Sequence, residues 1–339
     1  MLFRSAERLA ARGLAAVLPE ADLTADTLLR AMAARRAAPP PGDHGFDLEG
    51  AARSVTIAEA LHADRNRLSR RGAAHPGSDP LDRALDRAAS HGRSIALAWR
   101  DDDAVTATPA LDRLIALSEA HAVPLLLAAI PAGIEPALGR RIAEARNVRV
   151  AVHGLAHRNH APPDAKPAEF GAHRPFPDLV ADAAAGLRIA RERLHGPALL
   201  PVFVPPWNRL APDFAAALPG LGYRGLSSVP GAAVPGLRRL DATLDPIDWR
   251  GSRSLRDPEA ILQALAADIE REPGRPVGLL THHLAHDAAI WSFVEALLAR
   301  LAKHPAIRIL DPRDVFDDAA MDTNSPAPHS SVSQIARTG

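Results

Sequence analysis

An α/β fold of parallel strands covered by helices is what this 339-residue sequence predicts, and three observations predict it. Short apolar runs recur along the chain: "SIALAW" (94–99), "VPLLLAAI" (123–130), "VRVAVH" (148–153), "LLPVFV" (199–204), "GYRGLSS" (222–228), "PVGLLTH" (276–282) and "IRIL" (307–310). They are short and rich in branched side chains, as buried strands are. Between several of them lie segments with apolar residues three and four apart, the helical period: "TPALDRLIALSEAHA", "FPDLVADAAAGLRIARERLH", "DPEAILQALAADIERE" and "AAIWSFVEALLARLAKH". The alternation runs from residue 94 to about 315, which implies a barrel or an open doubly wound sheet.

The flanks read differently. In residues 1–90, "SAERLAARGLAAVL" and "ADTLLRAMAARR" carry helical spacing, and "AAPPPGDHG" reads as a linker. These residues are expected to form a helical N-terminal extension to a barrel over 91–317. The segment 318–339 is polar, with Pro and Ser, and is expected to be a disordered tail.

Composition removes several function classes. Lys plus Arg and Asp plus Glu balance at 40 each, so no global field draws the chain to nucleic acid or to an anionic membrane, and neither is expected as a partner. Nearly all the cations are Arg, with Lys166 and Lys303 the only lysines; no functional weight rests on that bias. Without cysteine there are no disulfides and no thiolate ligands, so a metal would be held by His, Asp or Glu. Arg4, Glu7, Arg8 and Arg12 interrupt the first apolar stretch, and no run is long enough to cross a bilayer. A cytoplasmic location is the expectation. The oligomeric state is open.

Ligand sites of parallel α/β folds gather at the carboxyl ends of the strands, and four strand ends here carry unusual residues. "RDDDA" follows the first strand, "HGLAHRNH" completes the third, "PPWN" follows the fourth and "HHLAHD" follows the last long one. His153 and His157, four apart with His160 nearby, are close enough for two imidazoles to reach one ion. Two neutral imidazoles and one carboxylate leave positions open on a divalent cation for water and substrate. Asp103 is the third donor in this reading, with Asp102 free as a base. Of His282 and His283, one points to the mouth and one away, since successive strand residues alternate faces. Trp99, Trp207 and Trp249, three of the four tryptophans, adjoin these segments, and aromatic walls beside polar groups suit a sugar or amide.

In order and spacing these segments resemble the polysaccharide deacetylase family, carbohydrate esterase family 4, also called the NodB homology domain. That family's Thr-Phe-Asp-Asp-Gly is similar to "WRDDDA"; with Ala104 at the Gly position the paired aspartates are Asp102 and Asp103, and a shift of one residue would make them Asp101 and Asp102. We prefer the later pair. The family's His-Ser/Thr-x-x-His is similar to "HGLAH", with Gly154 at the hydroxyl position. Its Arg-x-Pro-aromatic-Gly resembles "VPPWN", with Pro206 and Trp207 in register, Val204 where the family has Arg and Asn208 where it has Gly. "DPIDW" matches Asp-x-x-Asp-Trp, and "LTH" matches Leu-x-His.

The resemblance covers about residues 94–315 and implies a distorted (β/α)7-type barrel of the glycoside hydrolase/deacetylase kind with an N-terminal helical extension. It also implies a divalent metal held by Asp103, His153 and His157. Zinc suits those donors; cobalt, nickel or iron bind similar ones. Catalytic roles carry over to Asp102 as general base, Trp207 as backbone donor to the oxyanion, His282 as general acid and Asp248 as the partner tuning His282. Arg100 and Arg209, beside the motifs, are the candidates to replace the missing Arg. The implied reaction is hydrolysis of a non-peptide amide, foremost N-deacetylation of an acetylated amino sugar or related carbohydrate, with a small molecule or oligosaccharide as substrate. Two alternatives remain at this point: hydrolysis of another linear or cyclic amide, and a catalytically weak member of the fold that binds carbohydrate.

Overall fold

The computed structural model describes residues 24–37, 79–194 and 196–316. The chain divides into two compact units, residues 1–76 and 77–339. Of the first, the described part is helix α1 (Ala25–Ala37), as its spacing predicts. Thr24 and Thr27 close its first turn, each backbone N–H donating to the other's hydroxyl, a reciprocal cap. The first expected helix, the "AAPPPGDHG" linker beyond Ala37 and the tail at 318–339 lie outside the described residues.

In the second unit the predicted alternation forms a single parallel sheet. Its strands are β1 (Ile95–Ala104), β2 (Leu125–Ala129), β3 (Val148–His153), β4 (Leu199–Val204), β5 (Gly225–Leu226), β6 (Arg238–Arg239), β7 (Val277–Thr281) and β8 (Ile307–Ile309). Their order is β6-β5-β4-β3-β2-β1-β7, with β8 on the amino-terminal half of β1. The two-residue strand β6 has no counterpart in the sequence reading, because "RR" between loop residues carries no periodicity. An irregular stretch after β6 closes the barrel. Leu240 and Ala242 donate to the carbonyls of Leu226 and Ser228, while Thr243 and Leu244 donate to that of Gly278. A side chain at Gly278 would lie 1.9 Å from the Asp241 carbonyl oxygen, so glycine is required at the seam. The architecture is the distorted (β/α)7 barrel expected.

Small residues make the interior narrow: Ala98, Ala128 and Ala151 face it with Leu126, Val202, Val204 and Leu240, and Phe316 fills its end against Gly225. Outside, a larger apolar layer joins the sheet to its helices, α2 (Pro80–Ser90), α3 (Pro109–His121), α4 (Pro136–Glu144), α5 (Phe176–Arg193), α6 (Pro258–Arg271) and α7 (Ala288–Leu301). Three of these helices start alike: Asp79, Thr108 and Asp257 cap their first turns, each followed by proline at the first helical position, where its fixed φ and missing N–H cost nothing. Helix α2 lies before residue 91, where the sequence reading begins the barrel. It buries Leu81, Ala84, Leu85 and Ala88 in the outer layer, and Arg300 of α7 pairs with its Asp79 and Asp82. No helix among the described residues is long and apolar enough to cross a membrane.

Candidate active site

The three aspartates that end β1 have three different surroundings. Arg100 and Asp102 are two residues apart and turn inward, consistent with strand alternation. Trp99 and Asp101 turn outward. Asp103 would follow them, but the pairing with β2 slips there: Asp101 lies opposite Leu127 and Ala104 opposite Ala129, so two residues of β1 oppose one of β2. This bulge puts Asp103 at φ +76° and re-aims its carboxylate to the mouth, as bulges beside functional sites do. The strain sits at Asp103, so Ala104, at the position matched to the family's glycine, needs no glycine.

Asp103 Oδ1 lies 3.1 Å from His153 Nε2 and 3.3 Å from His157 Nε2. Donor atoms of the three residues all fall within 4.8 Å of one another. Burial opposes ionisation of Asp103, but the hydrogen bond from His153 and the fields of His153, His157 and His282 outweigh it and hold the carboxyl at about 2. Burial also disfavours charge on His153, yet Asp102 and Asp103 beside it push its pKa up. Burial dominates at His157 and pushes its pKa down.

The donor set fits a divalent cation. His153 Nδ1 lies 3.0 Å from the Val204 carbonyl oxygen, which can only accept; Nδ1 therefore carries hydrogen and Nε2 is turned to Asp103. A ring nitrogen aimed by a bond on its far side is the usual arrangement of a metal-binding imidazole. Val204 holds the position of the family's Arg, and its carbonyl also accepts the Gly154 N–H.

A carboxylate that the sequence reading missed shapes the loop carrying His157. Glu169 is 1 % exposed and accepts the backbone N–H groups of Leu155, Ala156 and Arg158. The chain turns tightly around it, with Gly154 at φ +58° and His157 at +52°. A side chain at Gly154 would meet Glu169 Oε2 at 2.2 Å and Pro206 at 2.7 Å. Glycine thus replaces the hydroxyl residue because this chain fills that space with Glu169. Nothing local in "KPAEF" marks Glu169, because its partners lie eleven to fourteen residues back.

Asp102, 2 % exposed, is compensated by Arg100. The guanidinium Nε is 2.9 Å from Oδ1, and Nη2 donates to Oδ2 at 3.1 Å. The same guanidinium donates to Asn208 Oδ1 at 2.6 Å and to Ser227 Oγ at 2.8 Å. Arg100 is thus the candidate that faces Asp102; Arg209 donates to the Pro167 carbonyl instead. Trp207 and Asn208 both lie at φ +56°. Asparagine tolerates that region better than most residues, and here its side chain is also used, which accounts for Asn at the family's glycine position. The Trp207 ring packs 4.2 Å from that of His157.

The two histidines after β7 separate as alternation predicts. His283 is buried against Asp101, and His282 meets the Trp249 ring edge-on at 4.7 Å. Asp248 is not beside His282. Its carboxylate accepts the N–H groups of Ser252 and Gly251, bonds that hold its pKa down, so it serves its own turn. The first acid of "DPIDW", Asp245, is the one whose field reaches His282; burial pushes its pKa up against the bonds from Ile247 N–H and the Trp249 indole. The resemblance implies Asp248; which acid of the motif faces His282 depends on three-dimensional packing.

No protein-family model matches the chain, and no curated protein matches it at a significant level. Among solved structures, it is similar to a candidate polysaccharide deacetylase from Mycobacterium smegmatis, at 15 % identity over 73 % of this chain and 96 % of that one, TM-score 0.54. It also aligns with a family 4 carbohydrate esterase from Streptomyces lividans (14 % identity, 63 % and 91 % of the two chains, TM-score 0.43) and a peptidoglycan deacetylase from Bacillus subtilis (11 %, 68 % and 93 %, 0.43). The first of these likenesses shows a shared fold.

Proposed function

We propose that this chain is a metal-dependent amide hydrolase of the polysaccharide deacetylase family, acting on an N-acetylated amino sugar or a related carbohydrate. The observation that carries the reading is the convergence of Asp103, His153 and His157 from two strand ends onto one point of the barrel mouth, with Asp102 the next residue along β1. The match of the fold to the Mycobacterium smegmatis structure supports it. Three donors of this kind suit zinc. Bound there, a divalent cation supplies polarisation of the amide carbonyl and a water of lowered pKa.

The chain's own groups do the rest. Asp102, oriented by Arg100, takes the proton of the attacking water as general base. The Trp207 N–H donates to the oxyanion that develops on the carbonyl, a contribution of about 3 kcal/mol where such donors have been removed. His282 delivers a proton to the departing nitrogen, with Asp245 the acid of "DPIDW" whose carboxyl feels its field. Trp207 and the partly exposed Trp249 wall the mouth with apolar faces suited to a sugar ring.

The test is acetate release from a panel of N-acetylated amino-sugar oligomers by zinc-loaded and chelator-treated protein. Zinc-dependent acetate release carries the proposal. Bound zinc without acetate from any member refutes it, and ammonia or a ring-opened acid from cyclic amides would reassign the substrate.

A further inference from the structure

We propose that Asp101 is the positioning residue of the proton donor His282, an inference that rests on the hydrolase reading and adds a residue to it. Asp101 is fully buried and turned away from the mouth, so it reaches neither the metal donors nor substrate. Its three hydrogen-bond donors come from the residues on either side of His282. Oδ2 accepts from Thr281 Oγ1 at 2.6 Å and from the His283 N–H at 3.0 Å, and Oδ1 accepts from His283 Nδ1 at 2.5 Å. Thr281 and Asp101 are register partners of β7 and β1, and the Thr281 hydroxyl in turn accepts from the Trp99 indole.

One carboxylate thus pins both neighbours of His282 to the opposite strand at the point where β7 ends. Between those pins His282 has φ −140° and ψ 85°, and its ring is presented to Trp249 and the mouth. A buried carboxylate is tolerated only when donors surround it, and here the whole set of donors lies in the segment that carries the acid. An asparagine could not substitute. It offers one acceptor oxygen, and its NH2 would face a donor.

Leaving-group dependence separates a positioning role from a general loss of structure. Release of an amine from an amide needs a proton on nitrogen, whereas 4-nitrophenolate departs from 4-nitrophenyl acetate as the anion. With zinc-loaded full-length protein, Asp101→Asn is expected to lower kcat/KM on an N-acetylated amino-sugar oligomer by about 10²-fold, the scale of one acid-base group, and on 4-nitrophenyl acetate by less than about 3-fold. His282→Asn gives the same pattern, and the double variant is no worse than either single one, since the two act as a unit.

Should Asp101→Asn fail to fold, the neighbouring residue carries the test. His283→Ala removes the Nδ1 donor and shows the amide-selective loss, and His283→Asn restores most of it because the amide N–H takes the place of Nδ1–H. Equal losses on both substrates, full additivity with His282→Asn, or no rescue by His283→Asn would overturn the role of Asp101 while leaving the hydrolase reading intact. A wild-type protein that binds zinc and hydrolyses neither substrate would overturn both.

Discussion

Arg100 and Asp102 project from the same face of β1, two residues apart, and form an ion pair with both side chains about 4 % exposed or less. A pair this deep is costly to break from one side, because the remaining charge has lost both water and partner; such losses run to about 3–5 kcal/mol. Arg100→Met is therefore expected to lower the melting temperature and to reduce kcat by about 10²-fold, the scale of a general base that has lost its orientation, without reducing zinc content. Arg100→Lys falls between, since an ammonium keeps the charge but cannot span Asp102 and Asn208 together. Steady-state kinetics with metal analysis on the same samples check this; loss of zinc in Arg100→Met would contradict it.

Removing a donor from the proposed metal centre has a different signature. Asp103→Ala and His157→Ala each leave two donors and are expected to lose zinc on dialysis. Activity of the wild type should vanish with a chelator and return on adding zinc. Elemental analysis after gel filtration checks this, and a His157→Ala protein that retains stoichiometric zinc would rule out the assigned donors.

Glu169 touches no metal donor, but the loop bearing His157 is wrapped around it. Glu169→Gln turns one acceptor into a donor facing backbone N–H groups, at a cost of about 1–3 kcal/mol. Zinc affinity is expected to fall about 10- to 100-fold, as it does when residues behind a ligand are changed. Gly154→Ala should act on the same loop from the other side, since a methyl group there overlaps Glu169 Oε2. Competition with a chromophoric chelator measures both; wild-type affinity in both variants would show that the loop is set by other contacts.

His286 supplies a pH prediction independent of the metal. Burial, against the field of Asp101 and with those of His282 and His283, pushes its pKa from 6.5 down to about 4. The unfolded chain then binds a proton at higher pH than the folded one, so the stability this residue contributes is present above about 6.5 and is lost as pH falls towards 4. Thermal melts at pH 7 and pH 5 should show a smaller acid-induced drop in His286→Gln than in the wild type. An unchanged drop would exclude His286 as a source of the acid sensitivity.

Much of the barrel was legible because its signals are local. Seven apolar runs and four amphipathic segments gave strands and helices at the expected places, and the polar residues closing those runs marked the mouth. Spacing also brought His153 and His157 together, and the resemblance of "LTH" to the family's Leu-x-His selected His282 over His283. What the sequence withheld depends on partners far along the chain. Asp101 looks like its two neighbours until Thr281 and His283 are brought against it. Glu169 has no periodicity to betray it, and the choice between Asp245 and Asp248 rests on how a loop folds back. Helix α2 was assigned to the arm because its partner, Arg300, lies more than two hundred residues away.

The extra residue in β1 makes the acidic run depend on count as much as on chemistry. With one amino acid fewer between Asp101 and Ala104 the strand would pair regularly with β2, and a single inward carboxylate would remain there with none re-aimed towards His153 and His157. Length at this point is therefore under constraint as well as side-chain identity. A laboratory library that samples single deletions across 100–104 should find that stretch intolerant even where conservative replacements survive.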